Sequence, residues 1–268
     1  MTFKLGSMLL IALIALVALT GCEGVQDLFM DTMSSMDDEM DGMDTGMSMD
    51  TGMDDGTVDM DAALVKLVWL VNYPLGGKDD YIAWIASVAP TLKAPEEVKR
   101  IASYDNFHGE NPHRFVEFEF NSFADAMTYL NRPDIAQVFR ALPDHSSEVS
   151  THVFIERSDY SKTENPTRKI KVVYLVDYPL GGKAEYLAWI ASVAPSLQAP
   201  EEVKRIASYD NYHGASPHRL VEFEFDSIEE ANAYMERDGV RAVSAEFPNR
   251  ASRATVLTYE LRSDYLSE

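Results

Sequence analysis

The chain is 268 residues long, 46% of them apolar and 10% aromatic, enough to bury one large core or two small ones. It carries 44 acidic residues against 23 basic, a net charge of -21, and has no cluster of Lys and Arg, which argues against nucleic acid as a partner. A single cysteine excludes a disulfide framework and any zinc site built on thiolates.

Residues 1–21 carry one positive charge near the start, Lys4, and continue in an apolar run from Met8 to Leu19. That run is about a dozen residues, short of the ~20 that a spanning helix needs, so it reads as a secretion signal. It ends in Leu19-Thr20-Gly21-Cys22. This ending resembles a bacterial lipobox. The resemblance implies that Cys22 is lipidated and becomes the new N-terminus of an extracytoplasmic protein, its membrane partner reached through more than one acyl chain. Glu23 is not the aspartate that resembles an inner-membrane retention signal, so the outer membrane is expected in a cell that has one.

Residues 22–62 change character. The stretch holds about thirteen acidic residues, no basic ones and nine methionines, with almost nothing aliphatic or aromatic to bury. Like charges repel and no core can repay the ordering entropy, so a solvated, extended tether is expected. An alternative is Cu(I) buffering by the thioethers of Met30, Met33, Met36 and Met40. The histidines that usually accompany such stretches are absent from it.

The rest of the chain is a duplication. A shift of 105 residues lays Lys66–Tyr160 on Lys171–Tyr265 without a gap, with roughly 54 of 95 positions identical. Tyr73-Pro74-Leu75-Gly76-Gly77-Lys78 recurs from Tyr178 to Lys183, and both copies close with Arg-Ser-Asp-Tyr. Two repeats follow, 63–160 and 170–268, joined by a polar linker over 161–169.

In each repeat the hydrophobic period switches between 2 and 3.6. Lys171–Tyr178 alternates as a strand that Gly181-Gly182 breaks, and Ala184 to Leu197 is helical. Val203 to His213 and His218 to Phe225 read as two strands around a Gly/Pro turn. Asp226 or Ser227 then caps a helix carrying Ile228, Ala231, Tyr234 and Met235, and Thr255 to Arg262 is the last strand. The order β-α-β-β-α-β is the ferredoxin-like split unit, so the fold class is α+β. Element order and tandem copy together resemble the dimeric α/β-barrel superfamily, which includes the antibiotic-biosynthesis monooxygenases and the stress-responsive barrel proteins. In most members two chains pair; here the resemblance implies an intramolecular barrel, for which a monomer suffices.

A hairpin of Val98–His108 with His113–Phe120 pairs His108 with His113, Tyr104 with Glu117 and Ala102 with Glu119. One face then carries Arg100, Tyr104, Asn106, His108, His113, Glu117 and Glu119, the other Ile101, Phe107, Val116, Phe118 and Phe120. The apolar face must meet the helices, which turns the polar face toward the barrel interior. The second repeat has Arg205, Tyr209, His213, His218, Glu222 and Glu224 in the same places. These twelve residues are the candidate ligand-binding set (Asn106 and Asn211 share the face but stand outside it). The opposing reading is that Arg100 and Arg205 neutralise the carboxylates and the interior is polar filler. A shared metal ion is disfavoured, because His113 and Glu117 lie about 13 Å apart along a strand.

Three functional readings remain beside a purely structural role at the envelope. The first is a lipid-anchored module that binds a small organic ligand in the barrel. The second, implied by the resemblance, is a cofactor-independent monooxygenase acting on an aromatic substrate. The third is the copper buffer of the tether. No bound cofactor is expected in any of them.

Overall fold

The computed structural model describes residues 63–266. The expected secretion signal, Cys22 and the Met/Asp-rich stretch lie outside the described residues. Among the described residues the chain runs β1 (Val65–Asn72), α1 (Lys78–Lys93), β2 (Val98–Asn106), β3 (Arg114–Phe120), α2 (Phe123–Leu130), α3 (Pro133–Ala141) and β4 (Glu148–Ser161). It continues with β5 (Ile170–Asp177), α4 (Lys183–Gln198), β6 (Arg205–Asn211), β7 (Arg219–Phe225), α5 (Ile228–Met235), α6 (Asp238–Glu246) and β8 (Arg253–Leu266). No helix among these residues is long and apolar enough to cross a membrane.

The eight strands close into one barrel in the order β1-β3-β2-β8-β5-β7-β6-β4, every neighbouring pair antiparallel. Closure depends on β4 and β8, each 14 residues long. The first part of β4 pairs with β1, while Phe154 to Ser161 pairs with β6. β8 bridges β5 and β2 in the same way. Register shifts at Glu156/Ser158 and Ser103/Tyr104 interrupt the two seams. A closed barrel leaves no unpaired edge on which a second chain could add a strand.

Local sequence explains the connections. Gly76 and Gly181 adopt φ of +71° and +69°, and the Gly77 and Gly182 N–H groups close the turns onto Pro74 and Pro179 oxygens at 2.8 Å. A side chain at the first glycine of each pair would be strained, and one at the second would bring a Cβ within 3.0 Å of the proline ring. Ser122 and Ser227 cap α2 and α5 by accepting the N–H of Asp125 and Glu230.

Three expectations need correction. The second helix of each repeat is two helices. In the first, Arg132 is extended and Pro133 opens α3 where its missing N–H costs nothing; in the second, Arg237 takes the same extended conformation as Arg132 with no proline after it. The hairpin is displaced by two residues: Tyr104 faces Phe115, Ala102 faces Glu117, and Asn106 N–H meets the His113 carbonyl at 2.8 Å. The Asn106 side chain causes this. Its Oδ1 accepts the N–H of His108 at 2.9 Å and so takes residues 107–112 out of the ladder. A two-residue displacement preserves the faces. It does remove His108 from the sheet, so the polar face ends before it.

The helices cover the outside of the barrel and bury Phe223, Phe225, Tyr234, Val240, Tyr186 and Trp189 in the second half. Inside, an apolar layer that includes Val68, Phe115, Phe154, Val173, Leu220 and Tyr259 fills the barrel, with the charged residues packed alongside it.

Candidate functional site

The barrel interior was the expected site, and eight of the twelve candidate residues do meet there. Lys66 and Lys171, at the start of β1 and β5, join them. Lys66 Nζ donates to Glu117 Oε2 and to Glu222 Oε2, both at 2.8 Å. Lys171 Nζ donates to Glu117 Oε2 at 2.7 Å and to Glu222 Oε2 at 3.1 Å. Arg100 bonds Glu117 at 2.9 Å, Glu119 at 3.2 Å and Asp264 at 2.8 Å. Arg205 bonds Glu224 at 3.0 Å and Asp159 at 2.9 Å. Tyr104 donates to Glu117 at 3.1 Å, and Arg205 donates to the Tyr209 hydroxyl at 3.2 Å. From the linker, Arg168 reaches in to Glu119 at 3.1 Å.

This network is satisfied almost entirely by itself; Glu222 Oε1 and Glu224 Oε2 are the interior oxygens without a hydrogen bond. Burial would raise the Glu117 carboxyl, but Lys171, Lys66 and Arg100 outweigh it and hold the group well below the usual carboxylate range. Burial would lower Lys66, and Glu117 and Glu222 instead hold it well above its ordinary value. A carboxylate held ionised beside the Lys66 ammonium held protonated does not exchange protons near neutrality. The interior has the geometry of polar filler.

The four histidine candidates lie apart from this network. His113 Nδ1 accepts the Tyr73 N–H at 3.1 Å with its ring stacked on Tyr73 at 5.1 Å, and His218 does the same with Tyr178 at 3.1 and 5.4 Å. His108 is exposed beyond the end of β2, and His213 follows the end of β6. Among the described residues no group of three His, Cys, Asp or Glu is placed to hold a metal ion.

A cleft of about 290 Å³ lies on the other side of the sheet, between the outer face of β5, β6 and β7 and the helices α4 to α6. Strand pairing builds its floor in transverse rows. Tyr174 faces Val221, Val221 faces Ser208, and Ser208 faces Ser158 on β4. The next row carries Phe223, Ile206 and Tyr160. The roof is a stripe of α4 at helical spacing, Tyr186, Ile190, Ala194 and Leu197, together with Val240, Val243, Ser244 and Phe247.

The lining is mostly apolar, with one polar corner. Arg219, buried on the helix-facing side of β7, donates to Ser208 Oγ at 2.6 Å and to Asp210 at 2.8 Å. Ser208 in turn bonds Ser158 at 2.7 Å. Burial pushes Asp210 up, but Arg219 and Lys183 outweigh it and keep the carboxyl below its ordinary range, so the guanidinium stays paired and fixed. Burial pushes Tyr178, whose hydroxyl lies 3.5 Å from Arg219, up to about 12, and raises Tyr174 and Tyr186 as well. These phenols remain neutral donors. The corner can therefore hold an oxygen atom of an otherwise apolar molecule and stabilise negative charge on it.

The alternation of β7 did not single out this corner, because Arg219 stands among apolar residues. An arginine on the face that must meet the helices was nevertheless the available signal: it has to be paired there or serve a ligand.

No family model and no curated protein matches the sequence. Solved structures do match. A candidate monooxygenase of Fusobacterium nucleatum superposes with a TM-score of 0.59 at 7% identity, over 77% of this chain and 95% of the other. An anthrone oxidase-like protein gives 0.61 at 10%, over 77% and 94%. A candidate monooxygenase of Lactobacillus acidophilus gives 0.54 at 9%, over 76% and 96%. The fold is similar to that of dimeric α/β-barrel proteins. At these identities the likeness concerns architecture, and the α/β barrel of this chain is built from a single polypeptide.

Proposed function

We propose that this protein is a lipid-anchored extracytoplasmic module that binds a small, planar, largely apolar organic molecule in the cleft of its second half. The cleft carries the reading: its volume stands at the small end of ligand sites, and one fixed cation with two hydroxyls faces an apolar wall. The ligand accordingly has one or two rings and a single polar oxygen. The secretion signal and Cys22 support the anchoring, and the acidic, methionine-rich stretch is the tether that carries the barrel at a distance from the lipid. A screen of phenols and quinones against the full chain, read by thermal stability, tests the binding. A true ligand at 100 times its Kd adds about 2.7 kcal/mol, and the absence of any shift across the panel defeats the reading.

A second reading has the cleft catalyse an oxygenation, in keeping with neighbours described as monooxygenases and as anthrone oxidase-like. Arg219 would hold an enolate or phenolate oxygen while dioxygen attacks carbon. For a phenol, the ring C–H para to the hydroxyl becomes a carbonyl as the hydroxyl becomes the other, one oxygen atom of O2 enters the product and the other leaves as water. Uptake of one O2 per quinone formed, above the rate without protein, supports catalysis. Binding without uptake leaves the first reading.

A further inference from the structure

The cleft has a counterpart position in the first half, and the residues there differ in a directed way. Where the second half has Tyr174 and Ser244, the first has Trp69 and Phe139. Trp69 is fully buried, with its ring edge-on to Phe118 at 4.8 Å and to Phe139 at 4.7 Å. Its Nε1 has no hydrogen-bond partner, so the indole contributes volume rather than polarity. A tyrosine and a serine at these two positions leave that space free, and both line the open cleft.

The mouth differs too. In the first half Lys93 lies over the Tyr265 ring at 4.9 Å, and the Tyr265 hydroxyl donates to the Lys93 carbonyl at 3.3 Å. The equivalent Gln198 and Tyr160 border the cleft of the second half. One exchange runs the other way, Leu142 to Phe247. Phe247 lies 5.6 Å from Tyr174 and 6.0 Å from Trp189 and forms a wall of the cleft.

We propose that the barrel over the described residues holds a single working cleft: Tyr174 and Ser244 open it in the second half, while Trp69 and Phe139 fill its counterpart. This rests on the ligand-binding reading above and adds two things to it. The barrel takes one ligand, and position 244 limits how large a ring system fits. The duplicated fold thereby keeps one half as scaffold and uses the other for recognition.

Crystals of the full chain under xenon gas test this without knowledge of the natural ligand, because xenon enters apolar cavities of this size. The unaltered chain should show a xenon peak between α4, α6 and the sheet, and none beside Trp69. Ser244→Phe should lose the peak, and Phe139→Ser should gain one in the first half. Should the position-139 variant fail to fold, Ser244→Phe decides alone. Peaks in both halves of the unaltered chain, peaks in neither, or a peak that survives in Ser244→Phe overturn the proposal. If the xenon pattern holds while no phenol or quinone binds, the ligand-binding reading fails and the single open cleft stands.

Discussion

Lys66 Nζ and Glu222 Oε2, 156 residues apart in the chain, meet at 2.8 Å inside the barrel. Lys171 and Glu117 mirror them at 2.7 Å, and each lysine also contacts the other glutamate. The four charges form a ring that alternates in sign and ties the first half of the chain to the second. None of them reaches water.

Lys66→Met should cost about 3–5 kcal/mol, since it leaves Glu117 and Glu222 short of one counter-charge in a dry interior. The double variant Lys66→Met/Glu222→Leu removes one cation and one anion and leaves Lys171 with Glu117. It should cost clearly less than the sum of the single changes, as measured by urea denaturation. Strict additivity would show that the ring is not coupled.

The pH dependence follows from the same groups. Glu117, Glu119, Asp105 and Asp210 are all held below their ordinary pKa values in the folded chain. A depressed folded pKa contributes stability that is present above the unfolded value, near 4, and lost as pH falls through the folded value. Urea midpoints should hold down to about pH 6.5, decline gently below it because burial disfavours the charged forms of His152 and His213 in the folded chain, and fall steeply below about pH 5. Lys66 works in the opposite direction: its raised pKa gives stability that is complete below about 10.4 and is lost as pH rises through the folded value. A midpoint that declines steadily between pH 8 and 7 would contradict this assignment.

Arg219→Gln should weaken binding of a cleft ligand by about 10–100-fold, the worth of one hydrogen bond from a charged donor. The equivalent Arg114 bonds Ser103 at 2.8 Å in the first half, so Arg114→Gln should disturb stability comparably and leave affinity unchanged. Titration calorimetry on both variants separates recognition from structure. Equal loss of affinity in the two would place the effect in the fold.

Cys22→Ser should release the protein from the membrane fraction and abolish labelling by radioactive fatty acid. Retention of label would remove the proposed anchor.

Alternation along β2 and β3 was enough to assign their faces: Arg100, Tyr104, Glu117 and Glu119 inward, Val116 and Phe118 toward the helices. Three things were harder to read. The register depended on the Asn106 side chain, whose turn leaves no periodic trace. Lys66 and Lys171 look like solvated residues in apolar strands, and only barrel closure shows that they balance the glutamates. The cleft depends on differences between near-identical halves, Trp69 against Tyr174 and Phe139 against Ser244, whose effect on volume appears only once helix and sheet are packed. Pro133 marked the break between α2 and α3, but the one-helix reading passed it over, and the second repeat breaks before Asp238 with no proline there.

The most direct measurement is a crystal structure of the full chain with the strongest compound from the phenol and quinone screen. The cleft account predicts density between α4, α6 and the β5–β7 sheet, with the ligand oxygen about 3 Å from Arg219 or Ser208. Density inside the barrel among Lys66, Glu117 and Glu222, or only at the protein surface, would contradict it.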